Sequence, residues 1–347
     1  MSLTGQLERK NFKASSVGRF FQKYEDSDGI RKCLSEMQST KPVKQPGYKP
    51  AERTIWALIG TTIDYLIRYV ANGNNLDFTQ TISGKTIGLL SGKSSVELNF
   101  LFPRISFGGD ENIVKMLFGI GTSYLDGRVV DQAAVYSATA LALIDNFFRS
   151  GGKLPEYFSP LQNQRRDMRD LKRMVGMPED YDFRQKQKML MYYDYFCTTL
   201  GENYIRDILE IMEVFNQAMS SAEGELFNAR FAELNRAFSN SSLVGGADFD
   251  CVIEKDGMLT LTDIKTTIDL LPIESLRQII GYALLHDKTK DKFFLDGVGI
   301  YYSRSGSFRH YPIDRLVETC LPTLKNIGNA KMVFLDEIGN DSEKFFS

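Results

Sequence analysis

The sequence predicts an α/β fold in which a central mixed sheet is flanked by helices and joined to a large, mainly helical region. Three observations predict this class. A stretch around residue 256 alternates polar and apolar residues on both sides of an Asp-Gly pair, which is typical of a β-hairpin. Apolar residues recur at helical spacing before and after it. A second hairpin pattern then follows, with strands expected at 298–303 and 307–313 around Ser305-Gly306.

The first hairpin joins predicted strands at 249–254 and 258–264 through the turn Asp256-Gly257. This dipeptide favours a two-residue turn because both of its residues must adopt positive φ. The turn fixes the register, so that Asp250 faces Asp263 and Asp248 faces Lys265. Side chains alternate along a strand, so these four charged residues share one face.

Two facing aspartates repel each other unless a cation lies between them. Carboxylate oxygens suit a hard ion, so Asp250 and Asp263 predict a site for Mg²⁺ or Mn²⁺. Lys265 stands where a lysine can orient or help deprotonate a metal-bound water and steady a phosphate. These are the parts of metal-assisted phosphodiester hydrolysis. The alternative is an edge hairpin with solvated charges, which the register and the Asp-x-Lys spacing disfavour.

These residues resemble the motifs of the PD-(D/E)XK nuclease superfamily, in its RecB-like and phage-exonuclease-like branch. Asp250 or Asp248 matches the first acidic motif, and Asp263-Ile264-Lys265 matches the (D/E)-x-K motif. The pattern Gln-apolar-x-x-Tyr-Ala, which this branch carries on the next helix, fits residues 278–283. An upstream Gly-x-x-x-acid pattern ends at Asp64, where the branch more often has His.

The resemblance implies a restriction-endonuclease-like core and a Mg²⁺- or Mn²⁺-dependent DNA nuclease related to phage or DNA-repair enzymes. The implied metal ligands are the carboxylates of Asp250, Asp263 and Asp64, with the Ile264 carbonyl as a further ligand and Asp248 as the fallback for Asp250. Lys265 would activate or orient water. Gln278 and Tyr282, four residues apart on a helix predicted at 269–287, would line the site.

The predicted domains are an N-terminal arm at 1–48, a nuclease core at 49–77 and 236–347, and a mainly helical insertion at 78–235. The arm contains one predicted helix near 17–25. A second helix, opening at Pro50 and ending near Gly73, carries Asp64 one turn before Arg68. The upstream acid could instead be Glu223 or Glu225, in which case the core is compact and all that precedes it is a separate domain.

Helices are also predicted at 131–148, 186–199 and 205–219. A basic run at 165–173 is either a solvated helix face or a contact for the phosphate backbone. The segment Gly88–Ser94 resembles a phosphate-binding loop, but it has one residue too few between its glycines. We therefore expect a Gly/Ser turn there, ending an extended segment at 86–90.

The amino-acid composition argues against several classes of function. The net charge is −2, with 42 basic and 44 acidic residues, which leaves room for a local basic face. The four cysteines lie far apart in sequence, which argues against a zinc ribbon. The chain contains only two histidines, which argues against a histidine-based nuclease. Without a long apolar run or a signal-peptide pattern, we expect no membrane partner and a cytoplasmic location.

DNA is the expected partner, together with a protein partner or a second copy of the chain. The sequence is also compatible with two functions other than that of a nuclease. One is a non-catalytic nucleic-acid-binding or assembly module on the same fold, which the complete Asp/Asp/Lys set disfavours. The other is a nucleotide-binding protein that uses residues 88–94.

Overall fold

The computed structural model describes residues 2–47, 53–72, 81–91, 114–122 without 116 and 120, 130–150 and 181–346. The chain divides into two compact units. The first unit consists of residues 1–45 and 214–347, and the second unit consists of residues 46–213. In the described part of the chain, no helix combines the length and the apolar character that a membrane crossing requires.

The first unit is built on a five-stranded mixed sheet in the order β1-β2-β3-β4-β5. Only β3 and β4 run parallel to each other, and the remaining neighbours are antiparallel. The strands are β1 Arg230–Leu234, β2 Cys251–Lys255, β3 Met258–Lys265, β4 Gly297–Tyr302 and β5 Ser307–Pro312. The observed fold is therefore α/β with a mixed sheet and flanking helices, as the sequence predicts.

Most helices of the first unit pack against one face of this sheet, and Phe215, near the end of the helix at 181–220, packs against Tyr301 on the other face. Val252, Leu261, Val298 and Ile300 alternate along β2 to β4 and are at most 1% exposed. The helices of the first unit are α1 Leu3–Leu7, α2 Arg9–Phe12, α3 Ser16–Tyr24, α4 Ser27–Met37, α9 Ile273–Leu285, α10 Lys288–Asp291, α11 Ile313–Cys320 and α12 Ile327–Phe346. Because side chains alternate, the helix-covered face of β3 carries Leu261, Asp263 and Lys265 in succession.

The predicted turn and register of the first hairpin are confirmed. Asp256 and Gly257 have φ values of 53° and 77°, as a type I′ turn requires. Lys255 pairs with Met258, and the ladder continues without a slip to the pair of Cys251 with Thr262. The second hairpin is also present, with the tight turn placing Gly306 at φ 65°.

The N-terminal residues are not a peripheral arm. Leu3, Phe20, Phe21, Ile30 and Met37 are completely buried in the hydrophobic core of the first unit. The helix expected near 17–25 is α3, and α1, α2 and α4 accompany it. This burial explains why residues 1–45 belong to the same compact unit as the sheet, with a boundary close to the predicted 48 but a different role.

The second unit contains α5 Arg53–Asn72, α6 Ile82–Leu90, α7 Gln132–Arg149 and the first part of α8 Tyr181–Ser220. Helices α5 and α7 form where they were predicted. The two helices expected at 186–199 and 205–219 are one element interrupted at Gly201, which has φ 76° and ψ 159°.

The expectation of an extended segment at 86–90 is wrong, because α6 is a helix capped by the Thr81 side chain on the Gly84 N–H. Residues 92–94 of the phosphate-loop-like segment and the basic run 165–173 lie outside the described residues. The predicted core and insertion boundaries, 49–77, 78–235 and 236–347, differ from the compact units, which divide at 45/46 and 213/214.

Candidate functional site

Two carboxylates face each other across the first hairpin. Asp250 directly precedes β2, and the pair of Cys251 with Thr262, continued by one step, places it opposite Asp263 in β3. The Asp250 carboxylate accepts a hydrogen bond from the main-chain N–H of Ile264 at 2.8 Å. This bond holds the carboxylate against β3, although Asp250 itself lies outside the regular ladder.

Burial and the neighbouring Asp250 carboxylate both affect the pKa of Asp263. Burial raises the pKa of Asp263 to about 7, and the adjacent Asp250 carboxylate adds to the rise, while Lys265 acts to lower it. A carboxyl group beside a second carboxylate holds its proton because two like charges at close range are unfavourable. When that proton leaves, the pair offers several oxygen ligands to one cation.

Lys265 supplies a positive charge at the same place. Its Nζ lies 2.6 Å from Asp263 Oδ2, and both side chains are largely buried, at 23% and 7% exposure. Burial acts to lower the pKa of Lys265, but the charges of Asp263 and Asp250 outweigh it and raise the pKa overall. The ammonium is therefore charged at neutral pH and can donate hydrogen bonds.

The residues present fit a hard divalent ion. Asp263 Oδ2 is buried, and Lys265 Nζ lies 2.6 Å from it. A buried carboxylate is stabilised in its charged form by nearby positive charge, and a divalent ion would add to the charge that Lys265 supplies. Among the described residues no group of three or more His, Cys, Asp or Glu side chains could hold a metal. Two carboxylates suit Mg²⁺, which keeps several water and substrate ligands.

Helix α9 brings Gln278 and Tyr282 to the same region. Gln278 Nε2 donates a hydrogen bond to the Tyr282 hydroxyl at 2.9 Å, so the predicted shared face is confirmed. Burial raises the pKa of Tyr282 well above its ordinary value, and the charges of Asp250 and Asp263 add to the rise. The hydroxyl therefore lies within range of the aspartate charges.

The N-terminal helices contribute to the walls of the site. The Thr4 side chain of α1 acts on the Tyr282 hydroxyl through a hydrogen bond that lowers the tyrosine pKa. Tyr302, at the end of β4, donates its hydroxyl to the Met37 carbonyl at 2.8 Å. Burial raises the pKa of Tyr302 to about 12, and the Asp263 charge contributes to this rise. These contacts were not predicted, because the N-terminal segment was assigned to an arm.

A clamp that the sequence reading missed fixes the end of β3. The Ser303 N–H and hydroxyl both donate to the Lys265 carbonyl, at 2.9 and 3.2 Å. Arg304, only 2% exposed, donates from Nε to the Thr266 carbonyl at 3.0 Å. We call Ser303 and Arg304 the β4 clamp. Its signal in the sequence is a Ser-Arg pair directly after a strand, which becomes informative only when that strand is known to lie parallel to β3.

The other two predicted aspartates, Asp248 and Asp64, lie in different surroundings from Asp250 and Asp263. Asp248 forms an isolated bridge with Ala237, so its main chain pairs on the β1 side of the hairpin. Asp64 lies in α5 of the second unit, where Arg68 Nε donates to it at 3.1 Å. The side chains of Asp64 and Arg68 are 15% and 3% exposed, so the two residues form a largely buried ion pair and not a surface pair.

The alternative upstream acids lie in the first unit. Glu225 forms an ion pair with Lys41 at 3.0 Å and accepts a hydrogen bond from the Phe308 N–H at 2.5 Å. Burial raises its pKa, but the hydrogen bond from Phe308 and the pairing with Lys41 lower it overall. Glu223 is exposed. The Glu225 carboxylate is thus occupied in joining residues 38–45 to β5.

Neither a scan against protein-family models nor a search of curated proteins found a match to this chain.

Proposed function

We propose that the protein is a divalent-metal-dependent nuclease that hydrolyses DNA phosphodiester bonds. One observation carries the proposal: Asp250, Asp263 and the Lys265 ammonium converge at the end of β3, on the helix-covered face of the sheet. The resemblance to the PD-(D/E)XK motifs supports it. The β3–α9–β4 crossover, which joins two parallel strands, supports the proposed restriction-endonuclease-like core.

Asp250 and Asp263 would hold Mg²⁺ or Mn²⁺, with the Ile264 carbonyl as a further ligand. Such an ion, when bound, lowers the pKa of a water ligand and neutralises charge on the phosphate. Asp248 remains the fallback ligand.

Lys265 orients the reactants in this proposal. Its raised pKa keeps the ammonium charged, so that it donates hydrogen bonds to the attacking water or to a phosphate oxygen. The 2.6 Å contact with Asp263 fixes the ammonium beside the carboxylate that would bind the metal. Gln278 and Tyr282, joined by a hydrogen bond, would line the site and help to exclude bulk water, which strengthens electrostatic interactions inside it.

The test is a cleavage assay on linear and circular DNA with Mg²⁺, with Mn²⁺ and with EDTA. We expect cleavage with either metal, none with EDTA, and a loss of at least about a hundredfold in Lys265→Ala. Lys290→Ala, which changes a lysine 63% exposed outside the site, is the matched control and should cleave normally. Equal cleavage by the two variants, with both folded by circular dichroism, would contradict the mechanism.

A non-catalytic nucleic-acid-binding or assembly module is the second candidate. The specific observation in its favour is that the described residues supply two facing carboxylates and not a group of three. Binding of DNA in a gel-shift assay without cleavage under any metal condition would support this candidate over the nuclease. A partner protein or a second copy of the chain would then be sought in pull-down and sedimentation experiments.

A further inference from the structure

Two cysteines from opposite ends of the chain meet in the core of the first unit. Cys33 lies in α4, and Cys320 is the last residue of α11. Their sulfur atoms are 3.2 Å apart, and both side chains are completely buried. They are 287 positions apart in sequence. The contact takes no part in the proposed nuclease chemistry.

A close approach of the two helices explains the contact. A Cβ atom on Gly29 would lie 1.8 Å from the Thr319 carbonyl oxygen, so only glycine allows α4 and α11 to meet at this point. The main-chain N–H of Asp26 also donates to the Cys320 carbonyl at 2.9 Å. Cys33 lies one helical turn after Gly29, on the same side of α4, and therefore faces Cys320.

The surroundings shift the pKa values of the two thiols in opposite directions. The Cys320 thiol donates a hydrogen bond to the Cys33 sulfur. The hydrogen bond from Cys320 lowers the pKa of Cys33 to about 7, against burial, which raises it. The pKa of Cys320 is raised because its proton is held between the two sulfurs. Cys33 is thus the more nucleophilic member, since the thiolate is the reactive form.

We propose that Cys33 and Cys320 form an oxidation-sensitive dithiol, which hydrogen peroxide converts into an intramolecular disulfide. The Cys33 sulfur attacks one peroxide oxygen, the O–O bond breaks, and hydroxide leaves and takes up a proton to form water. The resulting Cys33 sulfenic acid is attacked by the Cys320 sulfur, the S–O bond breaks, and a second water leaves with the Cys320 proton. Two thiols are oxidised and one peroxide is reduced to two waters.

The disulfide would join α4, and with it residues 1–45, covalently to α11 in the C-terminal part of the first unit. Such a long closed loop restricts the unfolded chain strongly, so the oxidised protein should melt at a higher temperature. This inference does not depend on nuclease activity.

The test treats the full-length protein with hydrogen peroxide and measures intact mass, free thiols and the linkage by peptide mapping. We expect a loss of about 2 Da, a fall from four titratable thiols to two, a Cys33–Cys320 peptide and a higher melting temperature, all reversed by dithiothreitol. Cys251→Ser, which removes another buried cysteine, is the matched control and should still lose about 2 Da. Cys33→Ser and Cys320→Ser should not.

Each other outcome contradicts the proposal. A gain of oxygen without a disulfide would show that the two sulfurs do not react with each other. A disulfide to Cys197 or Cys251 would show that another pair is the reactive one. Both results can be read from the unaltered protein, so the test does not depend on the folding of the serine variants.

Discussion

The Asp250 carboxylate accepts a hydrogen bond from the Ile264 N–H across the hairpin, at 2.8 Å. Ile264 lies between Asp263 and Lys265, so this one bond links the first acidic position to the Asp-x-Lys segment. It also means that Asp250 contributes to the local structure as well as to the charge of the site. The two contributions can be separated, because a carboxamide oxygen accepts hydrogen bonds but carries no charge.

Asp250→Asn should therefore leave the fold intact and weaken metal binding. We expect a change in the free energy of unfolding within about 1 kcal/mol, since the hydrogen bond survives. We expect Mn²⁺ affinity to fall at least about tenfold, since carboxylate charge sets cation affinity. Calorimetric titration and urea denaturation measure the two effects. Asp248→Asn is the comparison, and if it alone lost Mn²⁺ binding, the assignment of Asp250 would be wrong.

Metal binding should depend on pH through Asp263, whose pKa is about 7. Below that pH the carboxyl group is protonated and an ion must displace the proton, so affinity should fall about tenfold per pH unit. Above it, affinity should level off. Mn²⁺ titrations at about pH 6 and pH 8 measure this difference. Equal affinity at both values would show that Asp263 is not a ligand.

The metal-free protein should show the opposite trend. Because folding raises the pKa of Asp263, the folded state holds a proton that the unfolded state has released. The stabilising contribution of this group is complete below about pH 4 and is lost as the pH rises towards 7. Melting temperatures in EDTA across this range, compared with those of Asp263→Asn, isolate the contribution.

Asp64→Asn should destabilise the protein, whatever its effect on activity. Asp64 pairs with Arg68, whose side chain is only 3% exposed, and a hydrogen bond between charged groups at this depth is worth about 1.5 to 3 kcal/mol. Chemical denaturation measures this loss of stability.

The double variant Asp64→Asn/Arg68→Met separates stability from catalysis, because it also removes the cation that Asp64 neutralises. If Asp64 is the upstream acid, stability should recover while cleavage stays low. Recovery of both would assign Asp64 a purely structural role and return Glu223 or Glu225 to consideration.

The β4 clamp should position Lys265. Arg304→Met keeps much of the side-chain volume but removes the donor to the Thr266 carbonyl. We expect kcat to fall about tenfold with KM little changed, because a misplaced ammonium impairs the reaction more than substrate binding. Arg304→Lys should recover part of the loss. Arg315→Met, at an arginine 55% exposed and paired with Glu36, is the control. An increase in KM alone would indicate a substrate contact and contradict the positioning role.

The site was predictable where local chemistry determines geometry. The Asp256-Gly257 turn fixes the hairpin register, and the register alone places Asp250 opposite Asp263. Helical periodicity likewise places Gln278 beside Tyr282. None of these arguments requires knowledge of distant parts of the chain.

Features that depend on long-range packing were missed. Helices α1, α2 and α4 were not predicted because they are short, and their cap residues, such as Ser2 and Asp26, are visible only as weak local signals. Strand β1 was not predicted, because a register shift between Phe231 and Glu233 interrupts the alternation of its side chains. The β4 clamp and the Cys33–Cys320 contact join residues that only the tertiary fold brings together.

The division of the first unit along the chain has a consequence for synthesis. Residues 1–45 are made first, but the sheet that buries them begins only after residue 213. At ribosomal rates of about 5–20 residues per second, these helices would wait roughly 10 to 30 s for their partners. During that interval Phe20, Phe21 and Met37 have no sheet to cover, so the nascent segment exposes apolar surface of the kind that chaperones bind.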